Sequence, residues 1–153
     1  MKRRIAIVSL LVALAFAWVV SAMDASSFRP WLALSYPDVR WIDSASLATR
    51  LERGDVTLID VRTAEEYDES HLQGALRVGH APSPDQEVVV YCSLGVRSAD
   101  YAERLQREGF QVLNLDGGIF AWANAGRPIE NEEGTTQHVH PYNRFFGLFL
   151  DEN

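Results

Sequence analysis

Val88-Val89-Val90-Tyr91-Cys92-Ser93-Leu94-Gly95-Val96-Arg97-Ser98 reads as a buried β-strand that runs into a small-residue loop and then into the start of a helix. Four β-branched or aromatic residues in a row suit a strand covered on both faces, the kind found in parallel sheets. In such sheets, ligands bind outside the carboxyl ends of the strands, and that is where the reading places Cys92. The amide-rich N-terminus of the following helix would face the sulfur and stabilise an anion there, and the thiolate is the nucleophilic form. A lone cysteine packed inertly in a core is the plain alternative. Gly95, Arg97 and Ser98 favour anion binding over packing.

Working outward, strand and helix patterns alternate on both sides of this stretch. Ser44 to Arg53 reads as a helix with Asp43 or Ser44 as cap and Gly54 as its stop. Val56 to Asp60 reads as a buried strand, Thr63 to Ser70 as a short acidic helix capped by Thr63, and Ala75 to Val78 as a strand. Beyond the cysteine loop come a helix from about Ser98 to Glu108 stopped by Gly109, a strand at Gln111 to Leu115 and a helix near Ile119 to Ala125. Gly79 to Glu87, with Pro82 and Pro84, is too short and Pro-rich for a helix. The expected fold class is α/β: roughly five parallel strands with right-handed crossovers and helices on both faces.

The 153 residues, 47% of them hydrophobic, suffice for one core and one domain. A formal net charge of −7 argues against nucleic acid as a partner. Lys2 is the only lysine, so cleavage of the N-terminus would remove Schiff-base chemistry with it. With one cysteine there is no internal disulfide, resolving thiol or CxxC site. Sulfur chemistry here must use Cys92 alone or an outside thiol.

Met1-Lys2-Arg3-Arg4 followed by the apolar run Ile5 to Val20 has the form of an export signal, with Val20-Ser21-Ala22 as small residues for cleavage. It equally resembles a short membrane anchor. Either form places the domain outside the cytoplasm, in the periplasm, soluble or held at the inner membrane. The chain therefore divides into a signal or anchor at 1–22, a tether at 23–40, a domain at 41–129 and a tail at 130–153. The tether carries Pro30, Pro37 and two short aromatic clusters and is read as packing partly on the domain, without chemistry of its own. In the tail, Phe145, Phe146, Leu148, Phe149 and Leu150 are expected to fold back on the domain or to contact a membrane or protein partner.

Leu58-Ile59-Asp60-Val61-Arg62, Glu65-Glu66-Tyr67, His71-Leu72-Gln73-Gly74-Ala75, the Cys92 loop to Ser98, and Leu115-Asp116-Gly117-Gly118 to Ala121-Trp122 together resemble the rhodanese homology domain. The match runs from about Trp41 to Ile129. The resemblance implies a single-domain sulfurtransferase in which Cys92 accepts sulfane sulfur as a persulfide from a small anionic donor such as thiosulfate and passes it to a thiol or protein acceptor. It implies no cofactor and no metal. A persulfide is an anion that needs several donors and no activating base, so backbone amides of Ser93, Leu94, Gly95, Val96, Arg97 and Ser98 are expected to suffice. Gly95 allows the positive dihedral such a bowl requires.

Arg97 suits either an anionic donor or a bracing role through loop carbonyls or Asp60, and Ser98 is expected to cap the helix. Asp60 and Arg62 match positions that tie loops around the site. His71 reads as a structural hydrogen-bonding histidine, since no carboxylate is placed in sequence to orient it as a base, which disfavours a Cys-His hydrolase. His138 and His140 lack a third metal ligand at suitable spacing and read as solvated tail residues. The chain departs from the family pattern in lacking a helix between Gly74 and Val88 and in everything after Ile129. Two other function classes stay open: a cysteine phosphatase or arsenate reductase, whose loop has one more residue between cysteine and arginine, and a binding module without catalysis.

Overall fold

The structure is a computed structural model, describing residues 24–79 and 86–151. After a 3-10 turn at Ala25–Phe28 come α1 (Arg29–Ser35), β1 (Arg40–Ile42), α2 (Ser44–Arg53), β2 (Val56–Asp60), α3 (Ala64–Glu69), β3 (His71–Leu72), β4 (Leu76–Arg77) and β5 (Glu87–Tyr91). Then follow α4 (Val96–Arg107), β6 (Val112–Leu115), α5 (Gly118–Asn124), β7 (Ile129–Asn131), β8 (Gly134–Thr136) and a second 3-10 turn at Phe146–Phe149. Five strands form a wholly parallel sheet in the order β1-β6-β5-β2-β4, the α/β architecture that the strand-helix alternation predicts.

The side-chain alternation of β5 shows why the sheet is covered on both faces. Val88 and Val90 pack with Ala102 and Leu105 of α4, while Val89 and Tyr91 pack with Leu47 of α2 and with Ile119, Phe120 and Trp122 of α5. These four side chains are fully buried, while Glu87 at the start of β5 is partly exposed. Because β5 is the central strand, its carboxyl end opens at the middle of the sheet's upper edge, directly onto Cys92.

The helix signals act as read. Asp43 Oδ1 accepts from the amides of Ala45 and Ser46 at 3.0 and 2.9 Å, and Gly54 ends α2 in a left-handed conformation. Thr63 and Glu66 form a reciprocal capping box on α3. The helix after the cysteine loop differs from expectation at its start: it begins at Val96, two residues early, because Gly95 rather than Ser98 occupies the cap.

The flanking segments contribute more structure than a tether and a tail. The 23–40 segment supplies a buried Ala25 and Leu32, and Arg40 opens edge strand β1. Beyond Ile129, β7 and β8 join β3 in a small antiparallel sheet, with Leu72 opposite Ile129 and His71 opposite Glu130. Phe149 is buried and meets Phe28 edge-on at 5.1 Å, and Phe146 and Leu150 pack partly against the core, whereas Phe145 and Leu148 stay 60% and 63% exposed. The segment thus folds back through some of its apolar residues only.

The apolar run Ile5 to Val20 and its cleavage site lie outside the described residues, as do residues 80–85 in the segment read as non-helical. No helix among the described residues is long and apolar enough to cross a membrane.

Candidate active site

Cys92 stands one residue past β5 and is only 2% exposed. Burial alone would suit an inert core thiol. The loop argues otherwise, since the Gly95 amide donates to Sγ at 3.2 Å across a three-residue turn. Gly95 reaches this geometry at φ 95°. A Cβ there would also press on the Leu115 carbonyl at 3.3 Å and on the Trp41 ring at 3.4 Å.

The orientation of the loop's peptides is fixed from below. Ile119 and Phe120, in the first turn of α5, donate their amides to the carbonyls of Cys92 and Ser93 at 2.9 and 3.2 Å. The buried Asn114 of β6 donates through Nδ2 to the Gly95 carbonyl at 2.8 Å. A trans peptide sets its N–H opposite its C=O. Tying down the carbonyls of Cys92, Ser93 and Gly95 therefore turns the amides of Ser93, Leu94 and Val96 away from α5 and Asn114. The first-turn amides of α4, at Val96, Arg97 and Ser98, lack intrahelical acceptors by helix geometry, and the positive end of its dipole adds to them. Of the six residues read as an anion cradle, Ser93 to Gly95 form the loop and Val96 to Ser98 open α4, and the Gly95 amide is the one that meets the sulfur among the described residues.

Two glycines at the start of α5 allow its close packing, Gly118 against the cysteine loop and Gly117 against Ala25. Gly117 and Gly118 have φ of 66° and 57°, and a Cβ on Gly118 would lie 2.2 Å from the Cys92 carbonyl oxygen and 2.6 Å from that of Ser93. The Asp116-Gly117-Gly118 motif is thus the floor on which the cysteine loop rests.

Arg97 takes the bracing role, but with a different carboxylate from the one expected. Its guanidinium binds Glu66 through Nη1–Oε2 at 2.8 Å and Nη2–Oε1 at 2.6 Å, and Nη2 also donates to Ser93 Oγ at 3.0 Å. Asp60 is already committed to Arg62. Burial pushes the Glu66 carboxyl up, yet the Arg97 hydrogen bonds and Thr63 outweigh it and hold Glu66 at about 2. Burial likewise opposes the Arg97 charge, but the Glu66 hydrogen bonds, with the Cys92 sulfur and the Glu66 charge behind them, raise it above its ordinary value.

Ser98 does not cap α4: it lies inside the first turn, and its buried hydroxyl has no hydrogen-bond partner among the described residues. Asp60 and Arg62 form the expected architectural pair, almost fully buried, with Arg62 Nε at 3.0 Å and Nη2 at 2.7 Å from the carboxylate and Nη2 also on the Ser70 carbonyl. That pair joins the end of β2 to the end of α3.

Three of the described residues, His71, His138 and His140, lie near carboxylates that sequence proximity did not offer. His71 stacks on Tyr67 at 3.8 Å and places Nδ1 2.9 Å from the Tyr67 carbonyl, and β7 brings Glu130 to 3.8 Å from its Nε2. His138 is solvated as expected, its side chain 79% exposed, yet both it and the half-buried His140 face Glu69, with Nε2 atoms 3.0 and 3.8 Å from its two oxygens. Among the described residues no group of histidine, cysteine and carboxylate side chains is arranged to hold a metal ion.

Sequence reasoning passed over Glu66 and Asn114 as site residues. Glu66 carried one signal, its place three residues after Thr63 in a capping box; Asn114 carried only its polarity inside an otherwise apolar strand.

The Rhodanese-like domain family matches residues 43–125. A sulfurtransferase of Allochromatium vinosum is 41% identical over 107 residues, which cover 63% of this chain and 99% of the relative. The thiosulfate sulfurtransferase GlpE of Vibrio cholerae is 30% identical over 98 residues, 58% of this chain and 92% of the relative. Among solved structures, a rhodanese-related protein from Thermoplasma volcanium superposes with a TM-score of 0.55 at 26% identity, covering 61% of this chain and 99% of that one.

Proposed function

Because this chain belongs to the rhodanese-like family, we propose that it is a sulfurtransferase carrying sulfane sulfur on Cys92. The observation that carries the reading is the Gly95 amide on Cys92 Sγ, within a loop whose carbonyls are tied back to α5 and Asn114. Such a loop offers amides to an anion one atom beyond the cysteine sulfur and provides no base, the arrangement that a persulfide needs.

In the first half-reaction the Cys92 thiolate attacks the outer sulfur of thiosulfate. A Cys–S bond forms to that sulfur, its bond to the sulfonate breaks, and sulfite leaves with the electron pair. Cys92 then carries a persulfide anion, which the cradle holds. In the second, an acceptor thiolate attacks the terminal sulfur and Cys92 departs as the thiolate. No proton need be moved by a side chain, so His71 has no part in the chemistry. Arg97 contributes positive field and loop rigidity rather than a free recognition fork, because two of its nitrogens are engaged by Glu66 and Ser93. That commitment also weighs against a phosphatase, which needs its loop arginine for the phosphoryl oxygens.

The basic start and apolar run at residues 2–20 support export, with sulfur transfer taking place outside the cytoplasm, from a soluble or an anchored domain. A chain with one thiol suits that oxidising setting, since it has no internal partner for a disulfide. Fractionation of the native cell locates the protein, and recovery with the cytoplasmic fraction would overturn this part.

Incubation with thiosulfate should make the intact protein heavier by one sulfur atom, on Cys92, and cyanide should strip it as thiocyanate. Cys92→Ser abolishes both. Absence of an adduct with thiosulfate, polysulfide and mercaptopyruvate alike would sink the proposal.

A further inference from the structure

The segment beyond the family match reaches the Cys92 loop. Tyr142 has φ 61°, the one positive value outside glycine among the described residues, in a region disfavoured by a Cβ. It is held there from three sides. His140 Nδ1 accepts the Tyr142 amide at 3.0 Å, and Phe146 tilts against the phenol ring at 5.6 Å. The face of that ring covers the Arg97 guanidinium, with 4.7 Å from Cζ to the ring centre.

The irregular segment after β8 that delivers Tyr142 runs beside the same helix that braces Arg97. Glu66 and Glu69 lie one turn apart on α3. Glu66 holds Arg97, while the two oxygens of Glu69 meet His138 and His140. Asn143 caps the following turn through Oδ1, which accepts from the amides of Phe145 and Phe146 at 3.0 Å, and Phe149 seats that turn on Phe28. Arg97 is thereby fixed in its plane by Glu66 and Ser93 and covered on one face by Tyr142, and the loop it follows begins at the buried Cys92.

We infer that Tyr142 is a specificity-determining lip of the Cys92 site, narrowing the mouth so that compact anionic sulfur donors reach the sulfur and bulky thiol persulfides are held back. The donor classes rest on the sulfurtransferase reading; the narrowing itself does not. Tyr142 is 47% exposed, as a residue at a rim is and a core residue is not.

Since Cys92 is the only cysteine, its alkylation can be followed in the full chain by intact mass, comparing iodoacetamide with a fluorescein maleimide. Tyr142→Ala should speed the bulky reagent severalfold relative to the small one, because removing the ring takes away bulk beside Arg97. Tyr142→Phe, which keeps the ring over Arg97, restores the wild-type ratio. Glu69→Ala, which releases His138 and His140 without touching the loop, moves the ratio in the same direction as Tyr142→Ala. In sulfur transfer, Tyr142→Ala should raise kcat/KM for glutathione persulfide relative to thiosulfate. Equal acceleration of both reagents, or none, in Tyr142→Ala and Glu69→Ala would overturn the inference. An unchanged ratio with normal sulfur uptake removes the lip alone; a shifted ratio with no uptake by wild type removes the sulfurtransferase reading and keeps the lip.

Discussion

Gly118→Ala tests whether the floor of the cysteine loop is set by close backbone contact. The added Cβ would fall 2.2 Å from the Cys92 carbonyl oxygen, 2.6 Å from the Ser93 oxygen and 2.7 Å from the Ser93 carbonyl carbon. None of these is the end of a flexible side chain, so backbone must move. Moving it lengthens the bonds from Ile119 and Phe120 to those same carbonyls, now 2.9 and 3.2 Å. Each bond is worth about 1 kcal/mol net, and an alanine at φ 57° adds about 1–2 kcal/mol of its own, so the loss is about 3–5 kcal/mol with the unsatisfied carbonyls included. For a domain of this size that corresponds to a fall in Tm of roughly 10–20 °C. Gly54→Ala is the matched control: its φ is 71° but nothing lies within 4 Å of the new Cβ, so it should lose only about 1 kcal/mol. Thermal unfolding followed by circular dichroism gives the stability change, and thiosulfate-dependent sulfur uptake per folded molecule gives the effect on the cradle. A Gly118→Ala protein within about 2 °C of wild type, or no less stable than Gly54→Ala, would refute the contact argument.

Glu66→Gln carries a pH signature: with its folded pKa at about 2, below the ordinary 4.5, Glu66 stabilises fully above about pH 4.5 and the contribution is lost as pH falls toward 2, an effect of order 3 kcal/mol. The Tm gap between wild type and variant should therefore be widest near about pH 6 and close on acidification, and a gap constant with pH would contradict the pairing. Arg62→Met leaves the Asp60 carboxylate buried without its partner and should cost about 3–5 kcal/mol, visible as a lower denaturation midpoint in urea. Asn114→Ala removes one of two hydrogen bonds on the Gly95 carbonyl, which keeps the Ala99 amide at 3.1 Å, and should lower stability by about 0.5–1.5 kcal/mol, read as a lower Tm, together with the rate of sulfur uptake. If uptake per folded Asn114→Ala molecule matched wild type, Asn114 would serve packing only.

Periodicity and caps made most of the parallel sheet legible, because the signals that write it are local. Asp43, Gly54 and Thr63 each act within one helical turn, and the apolar run at Val88–Tyr91 admits only a doubly covered strand. The Cys92 loop was legible for the same reason: thiol, glycine and helix start lie within seven residues. Partners across the fold were not. Arg97 meets Glu66, 31 positions away, and nothing in the spacing separates Glu66 from Asp60 until α3 is docked beside the loop. Ser98 looked like a cap because serine prefers that position, yet Gly95 alone can take the φ of 95° that the turn around Cys92 demands, and the helix starts from there. Glu69, His138 and His140 stayed separate for the same reason: the β7–β8 hairpin that joins them pairs with β3, a two-residue strand too short to announce itself.

These contacts give the site a particular economy. Under the proposed persulfide reading there is no proton to move, so little of the machinery would consist of side chains that touch the reacting sulfur; most would be backbone held in one orientation. The residues with the largest leverage are those that orient peptides: Gly118 under the loop, Asn114 behind it, and Glu66 acting through Arg97 at its side. Helix α3 links that brace to the Tyr142 segment, because Glu66 and Glu69 stand one turn apart and meet the loop arginine and the histidines that precede Tyr142 respectively. With one thiol in the chain, the second transfer must go to an acceptor from outside. If the proposed lip selects donors by size, an acceptor entering by the same route would be selected by the reach of its thiol. A protein acceptor would accordingly need its sulfur on an extended or mobile segment rather than in a pocket of its own.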